Sequence, residues 1–159
     1  MMNTFKPVAV ALALLGGLCL ASTTLAEDSG FIAATPSDLQ WTPAPSVGPG
    51  AMIAVIEGDL KAAEPFTFRL KVPANSNIGV HTHPLAERVT VISGTFYFAT
   101  GDKSDPAMVK AYQPGDTLII PAGMPMFATT RDQEVIVQVH GVGPWGLSYL
   151  DPADDPRNH

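Results

Sequence analysis

The chain has 159 residues, of which 46% are hydrophobic, so it is long enough to form one domain with a sizeable core. Its formal net charge of −6, without any basic cluster, makes nucleic acid and anionic membranes poor candidates as partners. The single cysteine, Cys19, excludes a disulfide within the chain.

The first 26 residues have the pattern of a secretory signal peptide. Lys6 supplies the positive charge, residues 7–21 form the apolar stretch, and Ala26 provides the small residue before cleavage. The apolar stretch is too short for a typical membrane span. We therefore expect export to the periplasm or to the medium, with no membrane attachment after cleavage.

Residues 27–50 are rich in Pro, Ala, Ser and Thr and lack sustained periodicity. This composition predicts an extended N-terminal arm over the surface, which could add an edge strand or contact the second copy of a homodimer. At the other end, residues 151–159 are acidic and interrupted by proline, which predicts an irregular tail.

Between these segments, residues 51–150 consist of short β-type runs separated by turn residues. The runs are Met52–Ile56, Phe66–Val72, Arg88–Ile92, Thr95–Ala99, Met108–Tyr112, Thr117–Ile120, Met126–Thr130 and Glu134–His140. Ser93 and Gly94 predict a hairpin between the third and fourth runs. Many short strands without a helical period predict an all-β sandwich or barrel.

Three residues with metal-binding side chains lie close together in His81, His83 and Glu87. Alternate residues of a β-strand point to the same face, so the two imidazoles can converge on one ion. Pro84 disfavours continuation of the strand and lets the chain bring Glu87 back towards the histidines. Two imidazoles and one carboxylate predict a mixed nitrogen and oxygen site for one divalent transition metal.

These residues resemble the first motif of the cupins, G-x5-H-x-H-x3–4-E-x6-G. His81, His83, Glu87 and Gly94 match it, whereas Asn75 stands at the leading glycine. The resemblance extends over about residues 51–150. It implies a single-domain cupin jelly-roll β-barrel with a metal in the barrel mouth.

The second cupin motif, G-x5-P-x-G-x2-H-x3-N, is matched only in its first half. Gly115, Pro121 and Gly123 fit, but Met126 stands where the fourth ligand, histidine, is expected, and Thr130 replaces the asparagine. The glycines and prolines shape turns rather than bind metal, so the inference of a cupin fold does not depend on the missing residues.

Met126 leaves three interpretations open. The first retains a metal on His81, His83 and Glu87 alone, the donor set that non-haem iron oxygenases use. In the second the Met126 sulfur coordinates, which suits copper(I). In the third the metal has been lost and Met126 fills space.

His140 and Gln138 are further candidates for a fourth ligand or for the pocket. They share one face of the run that ends at His140, and three valines share the other face. Since an all-valine face is typical of the buried side of a strand, the pattern favours valines in the core and both polar residues towards solvent.

The leading hypothesis is an exported mononuclear metal-binding cupin that acts on a small organic molecule, with dioxygenase-like chemistry favoured by the resemblance. Iron or manganese is the favoured ion, and zinc, nickel and copper are the other candidates. The alternative is a non-catalytic periplasmic cupin that binds or senses a small ligand at a degenerate metal site. A third hypothesis is a dimeric interaction protein held together by the arm.

Overall fold

The computed structural model describes residues 30–159, of which Ile32–His159 form one compact unit. The predicted signal peptide lies outside the described residues. None of the helices among residues 30–159 has the length and apolar character that a membrane span requires.

Residues 30–159 form eleven β-strands and two short 3-10 helices, which begin at Pro152 and Pro156. The strands are β1 (Thr42–Pro43), β2 (Met52–Glu57), β3 (Pro65–Val72), β4 (Asn77–Thr82), β5 (Glu87–Ser93), β6 (Phe96–Thr100), β7 (Lys110–Tyr112), β8 (Thr117–Ile120), β9 (Met126–Thr129), β10 (Val135–Val142) and β11 (Ser148–Tyr149). Short strands follow from the dense turn residues between them.

The strands pair into two antiparallel sheets. The larger sheet has the order β1-β2-β3-β10-β5-β8, and the smaller has the order β11-β4-β9-β6-β7. Neighbours in these sheets are often distant in sequence, as when β10 pairs with both β3 and β5. This topology confirms the predicted all-β jelly-roll.

The core lies between the two sheets and follows the period-two alternation of the strands. On β10, Val135, Val137 and Val139 are buried, whereas Gln138 and His140 on the opposite face are half-buried. The Val137 position pairs with inward-facing residues of both β3 and β5, which makes β10 the central strand of the larger sheet.

The predicted hairpin at Ser93 and Gly94 is wrong. The strand before this turn, β5, belongs to the larger sheet, and β6 belongs to the smaller one. The turn therefore crosses from one sheet to the other. Gly94 has φ of 76°, and a Cβ there would lie 2.4 Å from the carbonyl oxygen of Glu134, so glycine is needed for this close crossing.

The described part of the arm, residues 30–50, enters the core as well as extending the larger sheet. Thr42 pairs with Ile53 on β2, so β1 is an edge strand. A few residues later, Ala44 and Val47 are buried in the main hydrophobic cluster. The carbonyl of Ser46 also accepts a hydrogen bond of 2.8 Å from the hydroxyl of Tyr149.

The C-terminal tail is more ordered than its composition suggested. Asp151 and Asp155 each cap a short 3-10 helix through the side-chain carboxylate, and a proline opens each helix. An aspartate before a proline is a favourable start for a helical turn, which explains the order. The first of these helices lies against β4, where a Cβ on Gly79 would fall 2.6 Å from Asp154 Cβ.

Val137→Ala should lower the free energy of unfolding by about 2 kcal/mol, because it removes two methyl groups from a packed core position. The neighbouring Gln138→Ala is the matched control and should cost less than about 1 kcal/mol, since that side chain lies on the outer face. Urea denaturation measures both. Equal losses would contradict the assignment of the two faces.

Candidate functional site

The three predicted ligands are brought together around the turn that joins β4 to β5. His81 lies near the end of β4, His83 directly follows that strand, and Glu87 begins β5. All three side chains are about 95% buried, and the two imidazole centroids are 5.0 Å apart. The turn at Pro84 folds the chain back as the sequence predicted.

A β-bulge aims His81 into the barrel. Ile78 and His81 have opposite parity along β4, yet both line the same cavity. The register between β4 and β9 shifts between these two residues, and the extra residue reverses the alternation there. The bulge thus lets an apolar wall residue and a candidate ligand share one face.

Backbone carbonyls fix the tautomer of both imidazoles. Nδ1–H of His81 donates to the carbonyl of Gly79, and Nδ1–H of His83 donates to the carbonyl of Gly146, each at 2.8 Å. Because a carbonyl can only accept, Nδ1 must carry the proton in each neutral ring. Both Nε2 atoms therefore keep a free lone pair.

Glu87 is held from two sides. Its Oε1 lies 3.4 Å from His83 Nε2, and its Oε2 accepts a hydrogen bond of 2.9 Å from the indole N–H of Trp145. The Trp145 ring also stacks on His83 at a centroid distance of 5.7 Å and packs edge-on against Phe68 at 4.7 Å. One indole thus orients the carboxylate and supports a histidine.

Burial moves the pKa values of all three groups towards their neutral forms. Desolvation lowers the pKa of His81 and of His83 from 6.5 to about 4, against the opposing effect of their hydrogen bonds to carbonyls. Desolvation raises the pKa of Glu87 from 4.5 to about 7, opposed by the hydrogen bond from Trp145. At a pH between about 4 and about 7, both His83 and Glu87 are therefore neutral, and their contact is not an ion pair.

The cluster forms part of the wall of a cavity of about 50 Å³, which is lined by residues of both sheets. Much of the remaining wall is aliphatic or aromatic and includes Phe96, Phe98 and Val47 of the arm. The second phenylalanine pair, Phe66 and Phe68, belongs to the core beside the cavity. The site is therefore a polar cluster facing apolar walls.

Met126 faces this cavity, whereas the other candidate fourth ligands do not. It is 2% exposed, lies on β9 directly opposite His81, and lines the cavity wall. His140 and Gln138 lie on the outer face of β10, and Gln138 accepts a hydrogen bond of 3.3 Å from Arg69. This placement agrees with the outward orientation that the valine pattern favoured.

Within residues 30–159, no group of three or more His, Cys, Asp and Glu side chains is arranged closely enough to hold a metal ion as it stands. His81, His83 and Glu87 share one cavity, but metal ligands must converge to about 2.0–2.2 Å from a common point. Binding an ion would therefore require the side chains of this cluster to rearrange.

Two departures from the cupin motifs have a structural explanation. Asn75, at the leading glycine, has φ of 59°, and asparagine tolerates this left-handed conformation better than most residues. Thr130, at the final asparagine, is buried, and its hydroxyl accepts from the backbone N–H of Ser76 at 2.9 Å and donates to the carbonyl of Pro73. Both residues retain a role in shaping the turn between β3 and β4.

The sequence did not indicate that Trp145, Gly146 and Val47 belong to the site. Trp145 is 58 positions from Glu87, and Gly146 is 63 positions from His83, so no local spacing reveals either contact. The one feature of the sequence that could have drawn attention to this segment is a tryptophan, Trp145, three residues after the last long strand.

A jelly-roll of two facing sheets, with two histidines and a glutamate lining its interior cavity, defines a cupin-type barrel. The family model described as Cupin matches residues 54–143, so the chain belongs to the cupin family. No curated protein matches the chain significantly.

Solved structures with the same fold have low sequence identity to this chain. The polyketide cyclase RemF from Streptomyces resistomycificus has a TM-score of 0.63 and 17% identity, over 79% of this chain and 89% of that one. The DMSP lyase DddQ from Ruegeria pomeroyi has a TM-score of 0.58 and 17% identity, over 79% and 74%. An RmlC-like cupin from Shewanella frigidimarina has a TM-score of 0.53 and 15% identity, over 67% and 86%.

Glu87→Gln should stabilise the metal-free protein progressively as the pH rises. The raised pKa of Glu87 means that its neutral form stabilises the fold at low pH and that this contribution is lost between about pH 4.5 and pH 7. Glutamine stays neutral, so its advantage over glutamate should grow by about 2 kcal/mol between pH 5 and pH 8. Denaturation in the presence of a chelator measures the difference.

The exposed Glu134→Gln serves as the control for this experiment. A constant difference between Glu87→Gln and the unaltered protein would contradict the burial of an uncompensated carboxyl group at position 87.

Proposed function

We propose that this cupin is a metal-dependent enzyme that acts on a small organic molecule inside its barrel. The ion would be held by His81, His83 and Glu87. The observation that carries the proposal is the fixed tautomer of both histidines, which leaves two unprotonated Nε2 atoms in the same cavity as a carboxylate. Hydrogen bonds to carbonyls are the usual outer partners of metal-binding histidines.

The donor set fits a divalent transition metal with open coordination positions. Two imidazole nitrogens and one carboxylate suit iron or manganese, and zinc, nickel and copper remain in the tested panel. When bound, such an ion would polarise an oxygen of the substrate or support oxygen chemistry. Dioxygenation is the reaction class that we propose first, because this donor set is typical of non-haem iron oxygenases.

The residues around the ligands would prepare the site for this chemistry. Trp145 holds Oε2 of Glu87 and leaves Oε1 directed towards His83. The carbonyls of Gly79 and Gly146 keep the protons of the imidazoles away from the ligand side. The mostly apolar walls would strengthen electrostatic interactions inside the cavity, because apolar side chains screen charge less than water does.

The similar structures support a small organic substrate by analogy. Two of them are named for a polyketide cyclase and a DMSP lyase, which act on small organic compounds. We further propose, on the grounds of the pattern of residues 1–26, that the protein is exported to the periplasm or outside the cell after cleavage at Ala26. We also propose that it works as a homodimer in which the arm of residues 27–50 contacts the second copy.

A second candidate is a non-catalytic cupin that binds a small ligand. Met126 favours it, because a buried thioether stands opposite His81 where the second motif has an imidazole. A site with one ligand fewer binds its ion less tightly, and such a barrel could keep its pocket after losing the chemistry.

Elemental analysis of protein produced from the full chain and purified without chelators should find close to one transition metal ion per chain. His81→Ala/His83→Ala should reduce this content at least tenfold, because it removes both nitrogen donors. The matched control is His140→Ala, on the outer face, which should retain the metal. A protein that binds none of the five ions after reconstitution would contradict the proposal.

A turnover experiment distinguishes the proposed enzyme from the alternative of a non-catalytic binding protein. Small molecules that raise the melting temperature of the metal-loaded protein are incubated with it in air and under argon and then analysed by mass spectrometry. Product formed only in air indicates dioxygenation, and product formed under both gases indicates a reaction without oxygen. Ligands recovered unchanged under both conditions would support the binding protein.

Met126→His should raise metal affinity at least tenfold, because it places a third imidazole opposite His81 at the cavity wall. Competition with a chromophoric chelator measures the affinity. Met108→His, at an exposed position, is the control and should have no effect. Unchanged affinity in Met126→His would mean that position 126 cannot reach the ion.

A further inference from the structure

We infer from the cavity walls that the substrate is a short molecule with one metal-binding head group, an apolar tail and at most one negative charge. The inference rests on the proposed function, since it takes the head group to bind the ion at His81, His83 and Glu87. It adds the chemical class of the substrate, which neither the fold nor the ligand set determines.

The first observation is the chemistry of the wall. Among residues 30–159, sixteen side chains line the cavity, and twelve of them are aliphatic, phenylalanine, alanine or methionine. The other four are His81, His83, Glu87 and Trp145, which contact one another in a single cluster. None of the sixteen is a lysine, arginine, serine, threonine, asparagine or glutamine.

The second observation is that the donors of this cluster are already used. Both imidazole Nδ1–H groups donate to backbone carbonyls, and the indole N–H of Trp145 donates to Glu87. When Glu87 is ionised, as metal binding requires, no side-chain donor of the described wall is left for a hydroxyl, a phosphate or a second carboxylate on the substrate. A polar tail would lose its hydration without gaining hydrogen bonds from these side chains, which is unfavourable.

The charge balance sets a further limit. A divalent ion with an ionised Glu87 carries a net charge of +1, so it neutralises one negative charge on the head group. A second negative charge would lie against aliphatic walls without a counter-ion, and burial of an unpaired charge is strongly unfavourable. Dianions such as dicarboxylates and phosphate esters are therefore excluded by the same walls.

The size of the cavity limits the tail. Its volume is about 50 Å³, and Val47 of the arm, which is 3% exposed, forms part of its wall. A longer tail would have to displace packed side chains, which overpacks the core. Removing two methyl groups at position 47 should make room for such a tail.

A matched pair of hydroxamates tests the inference. Propionohydroxamate and malonomonohydroxamate present the same metal-binding head group and differ in a methyl against a carboxylate at the end of the tail. Isothermal titration of protein loaded with the ion found by elemental analysis should give at least tenfold tighter binding for propionohydroxamate. Equal binding, or tighter binding of malonomonohydroxamate, would overturn the inference.

The second measurement compares the binding of a larger and a smaller hydroxamate to variants of the cavity wall. Val47→Ala should improve binding of benzohydroxamate relative to propionohydroxamate at least threefold, because the truncated side chain enlarges the cavity. Val55→Ala, at an exposed position on β2 outside the cavity, should leave the ratio unchanged. An unchanged ratio in Val47→Ala would overturn the assignment of the tail to this cavity.

These outcomes distinguish the inference from the proposed function. A protein that binds metal stoichiometrically but prefers the dianionic probe, or binds neither probe, contradicts the substrate class and leaves the metal site intact. A protein that binds no metal contradicts the proposed function, and the inference fails with it.

Discussion

The candidate site is organised around one buried carboxyl group, Glu87, which lies among apolar side chains of the barrel. Desolvation raises its pKa to about 7, so the fold must accommodate either a neutral acid or a partly compensated carboxylate. The indole N–H of Trp145 and the Nε2 atom of His83 are the two polar groups that contact it. A transition metal would be a stronger partner than either, because it would carry positive charge into the cavity.

One short turn after β10 supports both sides of the site. Trp145 donates to Glu87 through its indole, and the carbonyl of Gly146 accepts from His83. The same indole packs against Phe68 in the core, so a displacement of the turn would disturb packing, carboxylate and imidazole together. The turn therefore couples the larger sheet, which carries β10 and β5, to the ligand that follows β4.

The sequence predicted those parts of the site that depend on local spacing. His81, His83 and Glu87 lie within seven residues of the chain, so the spacing of the two histidines and the turn at Pro84 were enough to predict their proximity. The β-bulge before His81 was not predicted. Contacts across the barrel were not predictable in this way: Trp145 reaches Glu87 only because β10 and β5 pair. The prediction of a hairpin at Gly94 was wrong for a related reason. Turn residues show where a strand ends, but they do not show which sheet the next strand joins.

Met126 stands where the second motif has a histidine, and its side chain also forms part of the apolar cavity wall. An imidazole opposite His81 would add a nitrogen donor to that wall, whereas the thioether continues the apolar surface formed by Phe96 and Phe98. Relative to the motif, methionine at position 126 thus replaces a histidine with an apolar side chain at this point of the wall. Under the proposed function, the same residue would weaken metal binding and favour an apolar tail, so the departure from the motif and the proposed substrate class would have one physical origin.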